Sequence, residues 1–106
     1  MIIARFYKKN NEITGFEIKG HSGTAEKGRD IICAAVSSAA LMTANTITEC
    51  YGISALCECR DGYLKCIPTD YLSAKPVLEG LCLHLRNLAN DYPYAVKIIY
   101  GGNKDA

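Results

Sequence analysis

The stretch from Ile31 to Ile47 is the longest apolar-rich run of the chain, and it constrains the fold more than any other feature. Alanine and serine are frequent in it, so neighbouring elements can pack closely against it. Asp30 before the run is a typical helix N-cap, and Gly52 after it is a typical helix stop. The pattern predicts a helix from Asp30 to about Tyr51. Because it is apolar on more than one side, we expect it to be the central, mostly buried helix.

This run does not predict a membrane span, because a spanning helix needs about 20 predominantly apolar residues. Five polar residues interrupt it: Ser37, Ser38, Thr43, Asn45 and Thr46. Arg5 also breaks the apolar N-terminal residues almost at once, so we expect no signal peptide and a cytoplasmic protein. The formal net charge of +1 provides no bulk attraction to nucleic acid or to an anionic membrane.

The N-terminal residues predict an antiparallel hairpin, with strands at Met1–Lys9 and Ile13–Lys19. A two-residue turn between them would place the apolar residues of the two strands on opposite faces. A three-residue loop of residues 10–12 instead pairs Phe6 with Phe16 and makes one face apolar. Since a slip of one residue turns every side chain to the other face, we predict the three-residue loop.

Asp61-Gly62 is a strong signal for a second hairpin, between strands at Ile53–Arg60 and Tyr63–Pro68. In this register Cys57 lies opposite Cys66. The apolar side chains of the two strands share one face, which we expect to be the core face: Ile53, Ala55, Cys57, Cys59, Leu64 and Cys66.

A second helix is predicted over roughly Ala74–Asn90, with Pro76 in its first turn. His84 lies toward the polar side of this helix, so we expect it at the surface. Tyr94–Tyr100 alternates and predicts a last strand. The element order is then ββαββαβ. It predicts a single α+β domain over residues 1–106, with two helices packed on a largely antiparallel, mixed sheet.

Cys33 stands out among the six cysteines because it follows the predicted N-cap by three residues. The N-terminus of a helix stabilises an anion, and the thiolate is the nucleophilic form of cysteine. The other cysteines lack this position. Cys50 is near the end of the predicted helix, and the remaining four lie on apolar faces. We therefore predict that Cys33 is the reactive cysteine.

His21 follows the second strand, and residues from Gly20 to Arg29 are predicted as a loop. This loop must return the chain to the start of the helix, so His21 and Cys33 can meet across it. The imidazole could then take the thiol proton and later protonate a leaving amine. Asp30 could orient His21 or simply cap the helix, and the residues alone leave both roles open.

Several residue types recur in a fixed order in this region: Gly20-His21, then Gly28, then Asp30-Ile31-Ile32-Cys33-Ala34-Ala35-Val36-Ser37. The pattern resembles the ribosomal-processing cysteine protease family, Prp, which shows a Gly-His, a glycine-containing loop and an Asp-Ile-Val-Cys-Ala-Ala-like helix start. Length and spacing also match, over essentially the whole chain. Ser22 stands where the family often has alanine and Ile32 where valine is usual, and neither change removes a functional group. Beyond Gly52 only the pattern of elements matches.

The resemblance implies that Cys33 and His21 are the catalytic pair and that the family's nearby aspartate is Asp30. It implies a homodimer that works without metal or cofactor. The absence of a direct nucleic-acid or membrane partner is expected from the small net charge instead. The implied substrate is the N-terminal extension of a large-subunit ribosomal protein precursor, the bacterial one numbered twenty-seven. Three further residues are implied to belong to the loop or to the substrate site: Gly20, Gly28 and Ser37.

Two other functions compete with proteolysis. Cys57-x-Cys59 and Cys66 place three thiols on one predicted face, but structural zinc usually binds pairs separated by two to four residues. A reduced cluster in the core is the favoured interpretation of these thiols. A non-enzymatic ribosome-assembly or ribosome-binding module would suit the small size and the mildly basic first third. It gives His21 and Cys33 no role.

Overall fold

The computed structural model describes residues 1–20 and 27–102, and for residues 27–30 it describes the backbone alone. Within these residues, five strands form one sheet and two α-helices pack together against one of its faces. A π-helical turn, Thr46–Cys50, extends the first helix. The elements are β1 Ile2–Lys9, β2 Glu12–Lys19, α1 Lys27–Asn45, β3 Ala55–Arg60, β4 Tyr63–Pro68, α2 Lys75–Asp91 and β5 Val96–Tyr100.

The sheet has the strand order β3-β4-β2-β1-β5. Three of its four pairings are antiparallel, and β5 runs parallel to β1. The structure therefore confirms the predicted ββαββαβ order and the mixed, largely antiparallel sheet. This order puts β1 and β2 near the middle of the sheet and leaves β3 at an edge.

The first hairpin has the predicted strand pairing but a different turn. Phe6 pairs with Phe16, as the burial argument requires. The turn itself contains only Asn10 and Asn11, both with positive φ (51° and 69°), which suits asparagine in a tight hairpin. A bulge at Thr14 then shifts the ladder by one residue. The predicted three-residue loop is thus wrong, because the extra residue lies in the strand and not in the turn.

The core lies between the sheet and the two helices. Its largest side chains with essentially no exposure are Phe6, Phe16, Ile47, Leu78 and Leu85. Burying a side chain of this kind stabilises the fold by about 1.5–3 kcal/mol. Helix α2 faces the core with an apolar stripe at helical spacing: Leu78, Leu81, Cys82 and Leu85 are buried, and Leu88 and Ala89 pack partly against the core.

Helix α1 is buried along one side only, through Ile32, Val36 and Ala40. On its other side the exposed fractions of Ile31 and Met42 reach 70% and 67%. The expectation of a mostly buried central helix is therefore wrong for a single copy of the chain. Its apolar residues exceed what one sheet face can cover, because only one side of a helix can meet a sheet.

The helical segment Ile31–Cys50 is long and apolar enough to cross a membrane when judged by length and composition alone. A core helix of a soluble protein meets the same criterion. Here one side of the segment packs against the sheet through residues that include Val36 and Ile47. Composition thus does not distinguish a membrane helix from a packed one in this segment.

Strand β3 is less buried than predicted. Cys57 and Cys59 point to the same face as Cys66 and Leu64, in the predicted register. Yet Cys57 and Cys59 are exposed, whereas Cys66 and Leu64 are buried. The reason is the strand order, because α1 packs over β4 and β3 lies beyond the helical layer.

Candidate active site

A cleft of about 320 Å³ opens between α1, the end of β2 and the tip of the β3–β4 hairpin. Cys33, half-buried, lies on the helix side of this cleft, and Gly20 lies on the sheet side. Ser37 follows Cys33 by four residues and lines the same cleft, as expected for neighbours on one helix face. The structure thus brings together Gly20, Cys33 and Ser37, three of the residues that the sequence singles out.

Gly20 ends β2 in a backbone conformation that favours glycine, with φ at +93°. A Cβ at this position would overlap the carbonyl oxygen of Met1. The pairing of Ile3 with Lys19 and this close approach put Gly20 opposite Ile2, near the rim of the sheet. Gly20 therefore fixes the point at which the chain leaves the sheet toward His21.

Helix α1 begins earlier than predicted, at Lys27. Gly28 therefore belongs to the first helical turn and not to a loop, and Asp30 is a residue of that turn and not the N-cap. A single glycine costs a helix only about 1 kcal/mol, so Gly28 does not stop it. Aspartate is favoured both at the cap and in the first turn, so its presence could not distinguish the two positions.

The earlier start changes the electrostatic argument for Cys33, which is the seventh residue of α1 when counted from Lys27. The helix dipole acts mainly within the first turn, and Cys33 lies in the second. Only the first N–H groups of a helix lack intrahelical partners, and Cys33 lies beyond them. The dipole supports a thiolate at Cys33 less than expected, so a neighbouring base becomes the more important requirement.

His21 lies outside the described residues, as do the side chain of Asp30 and the first part of the predicted loop. What the structure provides is the position of Gly20, the residue directly before His21, in the same cleft as Cys33. The pairing of His21, as the base, with Cys33, as the nucleophile, therefore remains a prediction.

The hairpin tip forms a wall of the cleft that sequence reasoning missed. Its residues Arg60 and Tyr63 line the cleft, and the backbone N–H of Gly20 donates to the carbonyl oxygen of Gly62 at 3.0 Å. Asp61-Gly62 predicts the hairpin but not its pairing with β2, which joins Lys19 to Tyr63. That pairing is non-local, and the local sequence carries no signal for it.

Polar contacts hold this wall in place. The Tyr63 hydroxyl donates to a Glu17 carboxylate oxygen at 2.6 Å, and the Arg60 guanidinium stacks 3.9 Å from the Tyr63 ring centroid. The hydrogen bond to Glu17, followed by burial, raises the pKa of Tyr63 to about 12. Tyr63 is therefore a hydroxyl donor at neutral pH and not a base.

The three thiols of the second hairpin divide between two environments. Cys66 is fully buried, as the core-cluster interpretation predicts, whereas Cys57 and Cys59 are exposed and contradict it. Cys59 also lines the cleft. Among residues 1–20 and 27–102, no group of three histidine, cysteine or acidic residues is arranged to hold a metal ion. His84 is exposed on α2, as predicted.

Comparison with known proteins identifies the family. The model of the cysteine protease Prp family matches residues 1–97. The ribosomal processing cysteine protease Prp of Bacillus subtilis (strain 168) is 27% identical over 88 residues, which cover 76% of this chain and 79% of that protein.

Solved structures agree in fold. The Streptococcus mutans protein SMU.848 superposes with a TM-score of 0.79 at 27% identity, covering 97% of this chain and 96% of that one. The essential ribosomal processing protease Prp from S. aureus, in complex with a substrate peptide, gives a TM-score of 0.85 at 20% identity, covering 94% and 99%. With a family match that extends from residue 1 to residue 97, the chain belongs to the cysteine protease Prp family.

Proposed function

We propose that Cys33 is the nucleophile of this protease and that His21 is its general base and acid. The observation that carries the proposal is the cleft that holds the Cys33 side of α1 and Gly20 together, Gly20 being the residue directly before His21 in the sequence. Because Cys33 lies beyond the first helical turn, a base next to it is needed to form the thiolate, which is the attacking form.

The reaction then follows the chemistry of a cysteine–histidine pair. His21 takes the Cys33 proton, and the thiolate attacks the carbonyl carbon of the scissile peptide bond. The imidazolium returns the proton to the leaving amine, which leaves a thioester on Cys33. His21 then removes a proton from water, which hydrolyses the thioester and regenerates the thiol. Asp30, in the first turn of α1, orients the imidazole in this proposal.

The remaining residues shape the peptide site. Ser37 lies one turn beyond Cys33 in the cleft and offers a hydroxyl to the peptide. Gly28, in the first turn of α1, belongs to the peptide site in this proposal. Gly20 fixes the direction in which the chain continues to His21. The cleft volume of about 320 Å³ is at the small end of ligand sites, which suits a few residues of an extended peptide.

The proposed substrate is the N-terminal extension of a large-subunit ribosomal protein precursor. Support comes from the relatives, because the B. subtilis protein is named a ribosomal processing cysteine protease and S. aureus Prp is solved with a substrate peptide. Such precursors are made in the cytoplasm, so we propose that residues 1–106 act there as one protease domain. The proposed chemistry uses no metal or cofactor and needs no nucleic-acid or membrane partner.

We further propose that the protein works as a homodimer. Ile31, Ser38 and Met42 follow one another at helical spacing on the exposed side of α1, and two of the three are large and apolar. A second copy would cover this stripe. Met42→Asp should then convert a dimer to a monomer in analytical ultracentrifugation, whereas Glu79→Asp, on the other helix, should not. An unchanged sedimentation coefficient for Met42→Asp would place the contact elsewhere.

The test of function is cleavage of the precursor from the same organism. Wild-type protein should cut it once near its N-terminus, and a chelator should not change the rate. Cys33→Ala should abolish the cut, while Cys59→Ala, a change of a second thiol in the same cleft, should leave it. If Cys33→Ala still cuts, Cys33 is not the nucleophile. If the wild type only binds the precursor, the ribosome-assembly module becomes the better proposal.

A further inference from the structure

Two cysteines outside the proposed catalytic pair lie directly across from each other in the sheet. Cys57 on β3 pairs with Cys66 on β4, and their Sγ atoms are 3.7 Å apart, with the Cys57 thiol directed at the Cys66 sulfur. Opposite residues in antiparallel strands have Cα atoms about 4.5–5.5 Å apart, and disulfides join Cα atoms about 4.4–6.8 Å apart. The backbone is thus already spaced for a bond between these sulfurs.

The two thiols differ in how an oxidant can reach them. Cys57 is exposed, and it lies on β3, an edge strand of the sheet. Cys66 is fully buried, and burial followed by the nearby Cys57 raises the pKa of Cys66 to about 12. Oxidants react with accessible thiolates, so an oxidant reacts first with Cys57. Cys66 reacts afterwards, with the oxidised Cys57.

We propose that Cys57 and Cys66 form a reversible cross-strand disulfide when the protein meets a peroxide. The Cys57 thiolate attacks one peroxide oxygen, the O–O bond breaks, and the products are a sulfenic acid on Cys57 and hydroxide. The Cys66 sulfur then attacks the Cys57 sulfur and displaces the hydroxyl group, which leaves as water with the Cys66 proton. The proton that Cys57 lost on ionisation converts the hydroxide to water, so that overall two thiols are oxidised, one peroxide is reduced and two waters are formed.

The proposal does not depend on proteolysis by Cys33. The disulfide would tie β3 to β4 just below the hairpin tip, and residues of that tip form one wall of the cleft. Because the Cys66 sulfur lies 3.7 Å from the Cys57 sulfur, sulfenic acid on Cys57 is captured by this neighbouring thiol before further oxidation. The pair is therefore a modification site at which a covalent bond would join the edge strand β3 to β4.

Cys59 is a matched control within the same strand. It is exposed like Cys57 and points to the same face, but it lies opposite Leu64, which carries no thiol. Exposure alone would make the two cysteines equally prone to oxidation. Cys57 has a thiol as its cross-strand partner and Cys59 has none, so their behaviour separates a paired site from general surface oxidation.

The experiment treats full-length protein with hydrogen peroxide, blocks remaining thiols with iodoacetamide, and maps linked peptides by mass spectrometry. Wild type and Cys59→Ser should each give a Cys57–Cys66 linkage that dithiothreitol removes. Cys57→Ser, a change at an exposed position, should abolish that linkage, and Cys66→Ala should leave Cys57 open to irreversible oxidation. The proposal is overturned if wild type accumulates sulfinic acid at Cys57 without a linkage. It is equally overturned if the linked pair contains Cys59.

Discussion

Replacing Gly20 with alanine tests how the sheet positions the candidate catalytic segment. Two costs are expected at this residue, and both come from the structure. A non-glycine residue at positive φ, here +93°, costs about 1–2 kcal/mol. The new Cβ would also overlap the Met1 carbonyl oxygen, and forcing atoms into a packed region costs about 1–3 kcal/mol more.

Gly52→Ala is the matched control, because Gly52 also has a positive φ, +69°, but nothing lies within 4 Å of its added Cβ. Both changes restrict the unfolded chain equally, so that contribution cancels between the two variants. The difference in free energy of unfolding should therefore equal the overlap alone, about 1–3 kcal/mol. With a urea m-value of about 1–3 kcal/mol per M, the midpoints should differ by about 1 M.

The assay is equilibrium urea unfolding of the two variants and of wild type, followed by precursor cleavage at a temperature where all three are folded. A displacement of about 1 Å near a reacting group can cost about 10²-fold in rate. Gly20→Ala should accordingly lose most of kcat/KM, and Gly52→Ala should keep it. Equal midpoints and equal activities for the two variants would refute the claim that Gly20 is held against Met1 and positions the segment after it.

Three further predictions concern the base, the cleft wall and the core. His21→Ala should lose about 10²–10⁴-fold in kcat while keeping its thermal melting temperature, and His84→Ala, exposed on α2, should be neutral in the same cleavage assay. Because Tyr63 has its pKa raised from about 10 to about 12, its contribution to stability is fully present below pH 10 and is lost as the pH rises through 12. The difference in urea midpoint between wild type and Tyr63→Phe should therefore shrink from pH 10 to pH 12. A constant difference would show that the hydrogen bond from Tyr63 to Glu17 does not determine this pH dependence. Phe16→Ala, at a position with no exposure, should lower the free energy of unfolding by about 3–5 kcal/mol in the same urea assay, and a loss below 1 kcal/mol would contradict its place in the core.

The sequence predicts the pairing of the strands better than the details of their turns. The pairing of Phe6 with Phe16 follows from burial, which only one register satisfies. The bulge at Thr14 could not be predicted in the same way, because a longer turn and a bulged strand give the same register. Hydrophobic pattern specifies which side chains meet, and leaves open where the extra residue is accommodated.

The features that could not be predicted from the sequence depend on contacts between residues far apart in the chain. Cys57 and Cys59 have the facing that their alternation predicts, but their exposure depends on β3 being an edge strand. The cleft wall at Tyr63 likewise depends on the pairing of β4 with β2. The predicted start of α1 is wrong for a local reason, since aspartate suits a cap and a first turn alike. The order of strands in the sheet thus decides much of the site.

The most direct measurement is limited labelling of the folded protein with iodoacetamide at neutral pH, with each alkylated cysteine mapped by mass spectrometry. Accessibility alone favours Cys50, Cys57 and Cys59, which are exposed, over Cys33, which is half-buried. We predict the reverse order: Cys33 is alkylated first, and precursor cleavage falls in proportion to that labelling. If the three exposed cysteines are labelled first and cleavage survives complete alkylation of Cys33, then Cys33 is not the nucleophile.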